Sequence, residues 1–255
     1  ARKGFIMRFP RSSGVLLHPT SLPGPHGLGD FGPAAYHFID WLVVAGQKLW
    51  QVLPLGPVGL GNSPYMSLSA FAGNPLLIDL AELGHKGWLH ADELDAARNF
   101  PTNHIDFGKV IPFRTKMLRH AAKNFFAHAS ANDRAEYESF DNQQRSWLAD
   151  YALFMALKGE HDSKEWCEWD RDIAQRKKSA LEKSRKTLAE EIKFWKFTQW
   201  CFSRQWTALK KYANEKGVQI VGDIPIFTAF QSSDVWAHPE LFSLDEHLRP
   251  TVVAG

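Results

Sequence analysis

Three short apolar runs punctuate the chain: Val15–Leu17, Leu49–Leu53 and Val218–Val221. Each is nearly continuous rather than alternating, which is the pattern of a parallel strand covered on both faces. Between the first two, Phe38, Ile39, Leu42 and Val43 recur at helical spacing, with Pro33 in the first turn and Gly46 as the stop. Strand, helix and strand with short joins predict a right-handed parallel crossover. The pattern then breaks. Residues 55–75 are rich in Gly, Pro, Ser and Asn, the chemistry of a long loop. From about residue 112 to 217 the periodicity is helical. Gln143–Lys158 gathers Trp147, Tyr151, Phe154 and Met155 on one side, and Gly159 follows as a stop. The stretch from Lys177 to Lys216 has no Gly or Pro and carries apolar residues from Leu181 to Leu209 at helical spacing. Unbroken, it would run roughly 60 Å at ~1.5 Å per residue, so a bend or interruption is predicted.

Strands two and three are separated by about 160 mostly helical residues, as in a barrel or doubly wound sheet that carries an inserted subdomain. A complete eight-fold barrel takes ~250 residues. The chain has 255 but only three candidate strands, and it reads as part of a larger architecture.

Composition adds bounds rather than identity. Hydrophobic residues make up 44% and charged residues 23%, the balance of a globular protein. The net charge is +2, with basic and acidic residues interleaved, so nothing argues for nucleic acid. Cys167 and Cys201 are too few for a disulfide framework and read as free thiols in a reducing compartment. Ala1–Pro10 lacks the apolar core of a signal peptide, and no apolar run reaches the length of a membrane span. A cytoplasmic protein is expected. The aromatic load, 10 Trp and 18 Phe, is what changes the picture. Most must pack a core, but some could offer flat apolar faces to a sugar ring.

Candidate chemistry narrows quickly. Gly27-Leu-Gly29-Asp-Phe-Gly32 spells G-x-G-x-x-G, but nine residues with three prolines separate it from the first strand. A dinucleotide turn leaves its strand directly, so these glycines read as part of a loop. His85 with His90, and His161 near Cys167, lack a second ligand pair and read as solvated or core residues rather than metal ligands. No serine sits in a strand–turn–helix elbow. What remains is polar residues at strand ends, where barrels hold ligands. They are His18 after the first strand, Asn62-Ser63-Pro-Tyr65 after the second, and Asp223 after the third. Asp223 could accept sugar hydroxyls or simply cap loop amides.

Several strings resemble the 4-α-glucanotransferases (amylomaltases). They are SGVLLHPTSLPGPHGLGDFG at 13–32, LWQVLPLGPVGLGNSPYMSLSAFAGNPLLIDL at 49–80 and VGDIPIFTAFQSSDVWAHPELFSLDEHLRPTVVAG at 221–255. DYALFMALKG at 150–159 and FTQWCFSRQWTALK at 197–210 fit the same family in the same order, and 81–140 matches weakly. The resemblance implies an α/β fold, the first part of a TIM (β/α)8 barrel, with a large inserted helical subdomain between the second and third strands. It divides the chain into first strands and substrate loop (1–80), mainly helical insertion (81–216), and third strand with its following loop (217–255). It implies transfer of an α-1,4-glucan segment onto the 4-hydroxyl of glucose or another glucan. The donors would be maltooligosaccharides, amylose or starch- and glycogen-derived glucans, with no cofactor and no metal. It further implies retaining chemistry with two carboxylates ~5–5.5 Å apart.

Carried over residue by residue, Asp223 in Gly-Asp-Ile-Pro resembles the family aspartate that holds a donor-side sugar. Tyr65 in Ser-Pro-Tyr resembles the tyrosine that stacks on substrate, and Ser63 would line the same pocket. Met66 stands where the family often has Gln, and Phe230 and Gln231 where an acidic residue is frequent. The family's Arg-x-Asp-His-Phe and Glu-Asp-Leu-Gly segments, which carry its catalytic carboxylates, do not occur in the chain, and the chain's one His-Asp pair, His161-Asp162, lies well before Asp223 rather than downstream of it. No catalytic residue is therefore assigned here, and the chain alone is expected to be inactive. Two alternatives stand beside this expectation. One is a non-catalytic α-glucan-binding module that keeps Tyr65 and Asp223. The other is a helical interaction protein that exposes Trp195 and Trp206.

Overall fold

In the computed structural model, which describes residues 10–252, three strands form one parallel sheet in the order β1 (Gly14–Leu16), β2 (Leu49–Gln51), β3 (Gln219–Val221). The stretch Ala1–Phe9, read above for a leader, lies outside the described residues, as does the end of the last string from residue 253 on. Val15, Trp50 and Ile220 share one register row, and Leu16, Gln51 and Val221 share the next. The first row faces the core: Trp50 is fully buried, and Val15 and Ile220 pack beside it. The second row faces out, with Leu16 56% exposed. Each strand thus reads as a continuous apolar run although only one of its faces is covered among the described residues.

The first crossover helix, α1 (Pro33–Val44), opens on proline and buries Ala35, Ile39 and Leu42 against the sheet. Its register differs from the expected face by one position. Val43 is 41% exposed, because the sheet is met by the i, i+4, i+7 row that starts at Ala35. Gly46 closes the helix at φ +70, with Gln47 N–H donating to the Leu42 carbonyl.

Residues 80 to 215 are mainly helical. The helices are α2 (Leu80–His85), α3 (Phe107–His128), α4 (Ala131–Gln143), α5 (Arg145–Glu160), α6 (Arg171–Ala174), α7 (Lys178–Thr187) and α8 (Ala189–Glu215). The predicted break in the last long segment falls at Leu188, between α7 and α8. Gly159 is not the stop that spacing suggested. It lies inside α5, and the chain turns at Asp162 and Ser163, which take the left-handed conformation at φ 51 and 62. Trp195 and Trp206 are half-buried rather than exposed; Trp206 packs 5.3 Å from the ring of Phe31. That burial removes the basis for an α8 partner surface. A short helix, α9 (Ser233–Ala237), follows β3. No helix among the described residues is long and apolar enough to cross a membrane.

Helix α8 anchors the segment after β2 with two buried glutamines. The Gln199 amide accepts from Gly73 N–H at 2.7 Å and donates to the Gly73 carbonyl at 3.0 Å. Gln205 repeats the arrangement at Asp79, at 2.7 and 3.1 Å. Both pairs span the same 126 residues of chain, so the segment lies along the helix in one register. A second polar hub is fully enclosed. Arg114 on α3 is bonded to Asp30 at 3.2 Å and to the Ile78 carbonyl. Burial raises the Asp30 carboxyl to about 6 although Arg114 pulls the other way. This places Asp30 of the glycine-rich motif in a structural role, where its other oxygen takes Gly32 N–H at 3.0 Å. Gly29 is needed there because a Cβ would sit 2.1 Å from the Pro19 carbonyl oxygen.

Gln199→Ala is expected to destabilise the fold by about 2–6 kcal/mol, since it orphans one buried donor and one buried acceptor at ~1–3 kcal/mol each. Urea unfolding monitored by tryptophan fluorescence checks this; a midpoint equal to wild type would refute the anchoring role.

Candidate functional site

At the C-terminal ends of β2 and β3 the chain leaves the sheet through two loops. The first, 54–74, folds back on itself through an antiparallel bridge between Val58 and Ser67. Its tip turns at Gly61 (φ 69) and Asn62 (φ 56), residue types that tolerate the left-handed region. Ser63 Oγ accepts from Tyr65 N–H at 3.3 Å and so fixes the start of Tyr65. The second loop opens at Asp223, two residues beyond β3.

The two loops meet in one hydrogen bond. The Tyr65 hydroxyl donates to Asp223 Oδ2 at 2.7 Å across 158 residues of sequence. The other oxygen, Oδ1, accepts from Ile224 N–H at 2.9 Å, which sets the carboxylate plane. Asp223 therefore caps a loop amide, one of its two readings from sequence, and its other oxygen takes a tyrosine hydroxyl. That bond also raises the Tyr65 ionisation above its ordinary value, so the phenol stays a donor.

Two open cavities adjoin this pair. One of about 980 Å³ is bounded by Tyr65, Met66 and Asp223 and by apolar Ile226, Phe227 and Val252. The other, of about 410 Å³, is lined by Asp223, Ser69, Phe71 and Trp147 among others. Asp223, Ile224 and Pro225 belong to both. Ser63 lines neither, and reaches the site only through the backbone of Tyr65.

The surrounding segments are tied down. Asp234 of α9 accepts from Ala70 N–H at 2.9 Å, and Ser233 N–H donates to the Leu68 carbonyl at 2.9 Å. Phe230 and Gln231 serve as acceptors for Trp166, through the Phe230 carbonyl (2.8 Å) and Gln231 Oε1 (3.1 Å). His18, the strand-end residue of β1, has its Nδ1 buried without a partner, and burial lowers its pKa to about 4. Of the histidines weighed as ligands, His161 bonds the Leu157 carbonyl and stacks on Trp169. Among the described residues no three His, Cys, Asp or Glu gather as metal ligands would.

Sequence reasoning brought Tyr65 and Asp223 to one rim but passed over Phe71, Trp147 and Asp234. The available signal was a bulky aromatic, Phe71, in a segment otherwise made of Ser, Ala and Gly.

Residues 17–253 match the family described as 4-alpha-glucanotransferase. A 4-alpha-glucanotransferase of Thermus thermophilus is 49% identical over 98% of the chain and 49% of its own length. One from Synechocystis sp. is 45% identical over 92% of the chain and 46% of its own length. Among solved structures, an amylomaltase from Streptococcus agalactiae in complex with acarbose superposes with a TM-score of 0.92 at 42% identity, covering 96% of this chain and 50% of that one. An amylomaltase from Corynebacterium glutamicum shares the fold, with a TM-score of 0.70 at 19% identity. The chain spans about half the length of the curated relatives it matches.

His18 generates a pH prediction. Its folded pKa of about 4 lies below the unfolded value of 6.5, so the stability tied to its neutral form is present above 6.5 and is lost as pH falls toward 4. Urea midpoints of wild type and His18→Gln, compared at pH 7 and pH 4.5, should show the wild type losing more on acidification. An equal fall in both would remove His18 from the acid response.

Proposed function

Because this chain belongs to the 4-alpha-glucanotransferase family, we propose that it supplies the sugar-gripping part of an enzyme that moves α-1,4-glucan segments between chains. The observation that carries this reading is the Tyr65–Asp223 pair, set where the two cavities join at the ends of adjacent parallel strands. A carboxylate there accepts hydroxyl hydrogen bonds from a pyranose ring, and the half-exposed Tyr65 ring gives the apolar C–H face of that ring a flat partner. Ser63 acts one step back, by holding the backbone of Tyr65. The acarbose bound to the streptococcal amylomaltase supports a ligand of this class, and maltooligosaccharides, amylose and related glucans are the partners we assign.

The bare row Leu16, Gln51 and Val221 supports a barrel wall whose interior side awaits further strands. In that reading residues 1–80 and 217–255 belong to a (β/α)8 barrel, and the helices of 81–216 form the insertion between its second and third strands. We assign the two carboxylates of a retaining double displacement to the portion of the relatives' length that this chain does not span. In such a mechanism a glucan hydroxyl must outcompete water for the glycosyl intermediate. The two cysteines are free thiols, and burial pushes that of Cys201 well up from its ordinary value; unreactive thiols suit a reducing cytoplasmic setting.

With the complete natural protein and maltotriose, glucose and longer maltooligosaccharides are the expected products. Asp223→Ala should lower kcat/KM by about 10–100-fold, as the loss of a charged hydrogen bond of ~1.5–3 kcal/mol implies. Tyr65→Phe, which keeps the ring, should lower it by only about 3–10-fold. Release of glucose without chain lengthening would make the protein a hydrolase and sink the transfer reading. The 255-residue chain alone is expected to give neither product.

A further inference from the structure

Phe71 is 65% exposed, an unusual place for a phenylalanine, yet the backbone around it is held by hydrogen bonds. Phe71 N–H and Ala72 N–H both donate to Ser69 Oγ, at 3.1 and 3.2 Å. Ala70 before them is held by Asp234, and Gly73 after them by Gln199. A loop that merely tolerated an exposed ring would not need bonds at every one of these positions. The ring itself lies over Trp147 of α5, with centroids 6.3 Å apart and planes 21° from parallel. Trp147 is fixed in turn, its indole N–H donating to Gln144 Oε1 at 2.8 Å. Two aromatic planes are thus stacked, braced from behind and open to solvent in front.

This platform and Asp223 line the same 410 Å³ cavity. That volume lies within the ~300–1,000 Å³ usual for small-molecule sites. The wall also supplies Gln144, Ser69 and Ser203, which are hydroxyl-pairing groups, beside the apolar rings of Phe140 and Trp206. Stacked aromatics with amide and hydroxyl groups alongside suit one ligand chemistry, a pyranose with one C–H face and an equatorial belt of hydroxyls. No ionised group other than Asp223 lines this cavity, so a charged ligand finds no counterion there.

We propose that Phe71 and Trp147 form an additional sugar subsite, which holds a glucose unit of the same α-1,4-glucan several residues along from the unit gripped by Tyr65 and Asp223. The inference rests on the glucan reading of the Tyr65–Asp223 site and adds a second grip to it. Chain length is then sensed by the 67–73 loop: only a glucan long enough to reach from Asp223 to Phe71 gains the second contact.

The test is a comparison of donors. With the complete natural protein, KM is measured for maltotriose, maltopentaose and maltoheptaose in wild type, Phe71→Ala and Trp147→Phe, with thermal melting as a folding control. Phe71→Ala should raise KM for maltoheptaose about tenfold with kcat little changed, and the penalty should shrink with shortening chain. Trp147→Phe, which keeps a ring behind Phe71, should produce a smaller rise of the same pattern. KM values equal to wild type for every donor, or raised by one common factor, would overturn the subsite. If Phe71→Ala has no effect while Asp223→Ala still impairs every donor, the subsite falls and the primary site stands. If Asp223→Ala impairs none of them, the glucan reading of both falls together.

Discussion

Two glutamines on one helix hold the functional loop in place. Gln199 and Gln205 reach from α8 and bond the backbone of Gly73 and Asp79 through both halves of each amide, as a neighbouring β-strand would. Irregular chain cannot lie in an interior unless its N–H and C=O groups find partners, and here the side chains of a helix provide them. The register of the loop follows from these bonds. Gly73 must be glycine because a Cβ would sit 2.2 Å from the ring of Phe202, one helical turn beyond Gln199. With the exit of the loop anchored, its tip is free to curl back through the Val58–Ser67 bridge and bring Tyr65 within reach of Asp223.

The sheet and the helical layer meet this constraint from opposite sides. Trp50, fully buried in β2, donates its indole N–H to the Leu17 carbonyl at 2.7 Å and locks the end of β1 to the middle strand. Behind it, Trp88, Phe125, Phe197 and Trp200 pack edge-to-face and tilted at centroid distances of 4.9–6.0 Å. Those contacts use the aromatic surplus as core, where each pair adds ~0.5–1.5 kcal/mol beyond its buried area. Only a few rings are left facing out, and Tyr65 and Phe71 do so in the loop where the site is found.

Much of this was legible in the chain because it was local. The three apolar runs became the three strands, the glycine- and serine-rich stretch became the loop, and the overlong helix broke at Leu188. Tyr65 and Asp223 could be singled out as candidates, and meet in the fold, because polar residues at parallel strand ends lie near one another and the strings around them resemble a family. The errors were also local. Val43 was placed on the buried face since spacing alone cannot tell which of two adjacent apolar rows meets the sheet. Gly159 was read as a stop, although the left-handed turn fell to Asp162 and Ser163. What could not be read depended on pairings across more than eighty residues, namely Arg114 with Asp30 and Gln199 with Gly73. Isolated polar residues carry no periodicity, so nothing in the sequence marks them as interior. Phe71 was passed over for a related reason: its exposure is a property of the fold.

The bond between Tyr65 and Asp223 has a consequence for whatever binds beside it. In the unliganded protein Asp223 already has a donor on each oxygen, one from its own loop and one from the tyrosine. Each carboxylate oxygen has two lone pairs, so a further donor can bond Oδ2 beside the phenol without displacing it. The tyrosine and the Ile224 amide thus leave one acceptor position open on each oxygen and fix the direction in which it points.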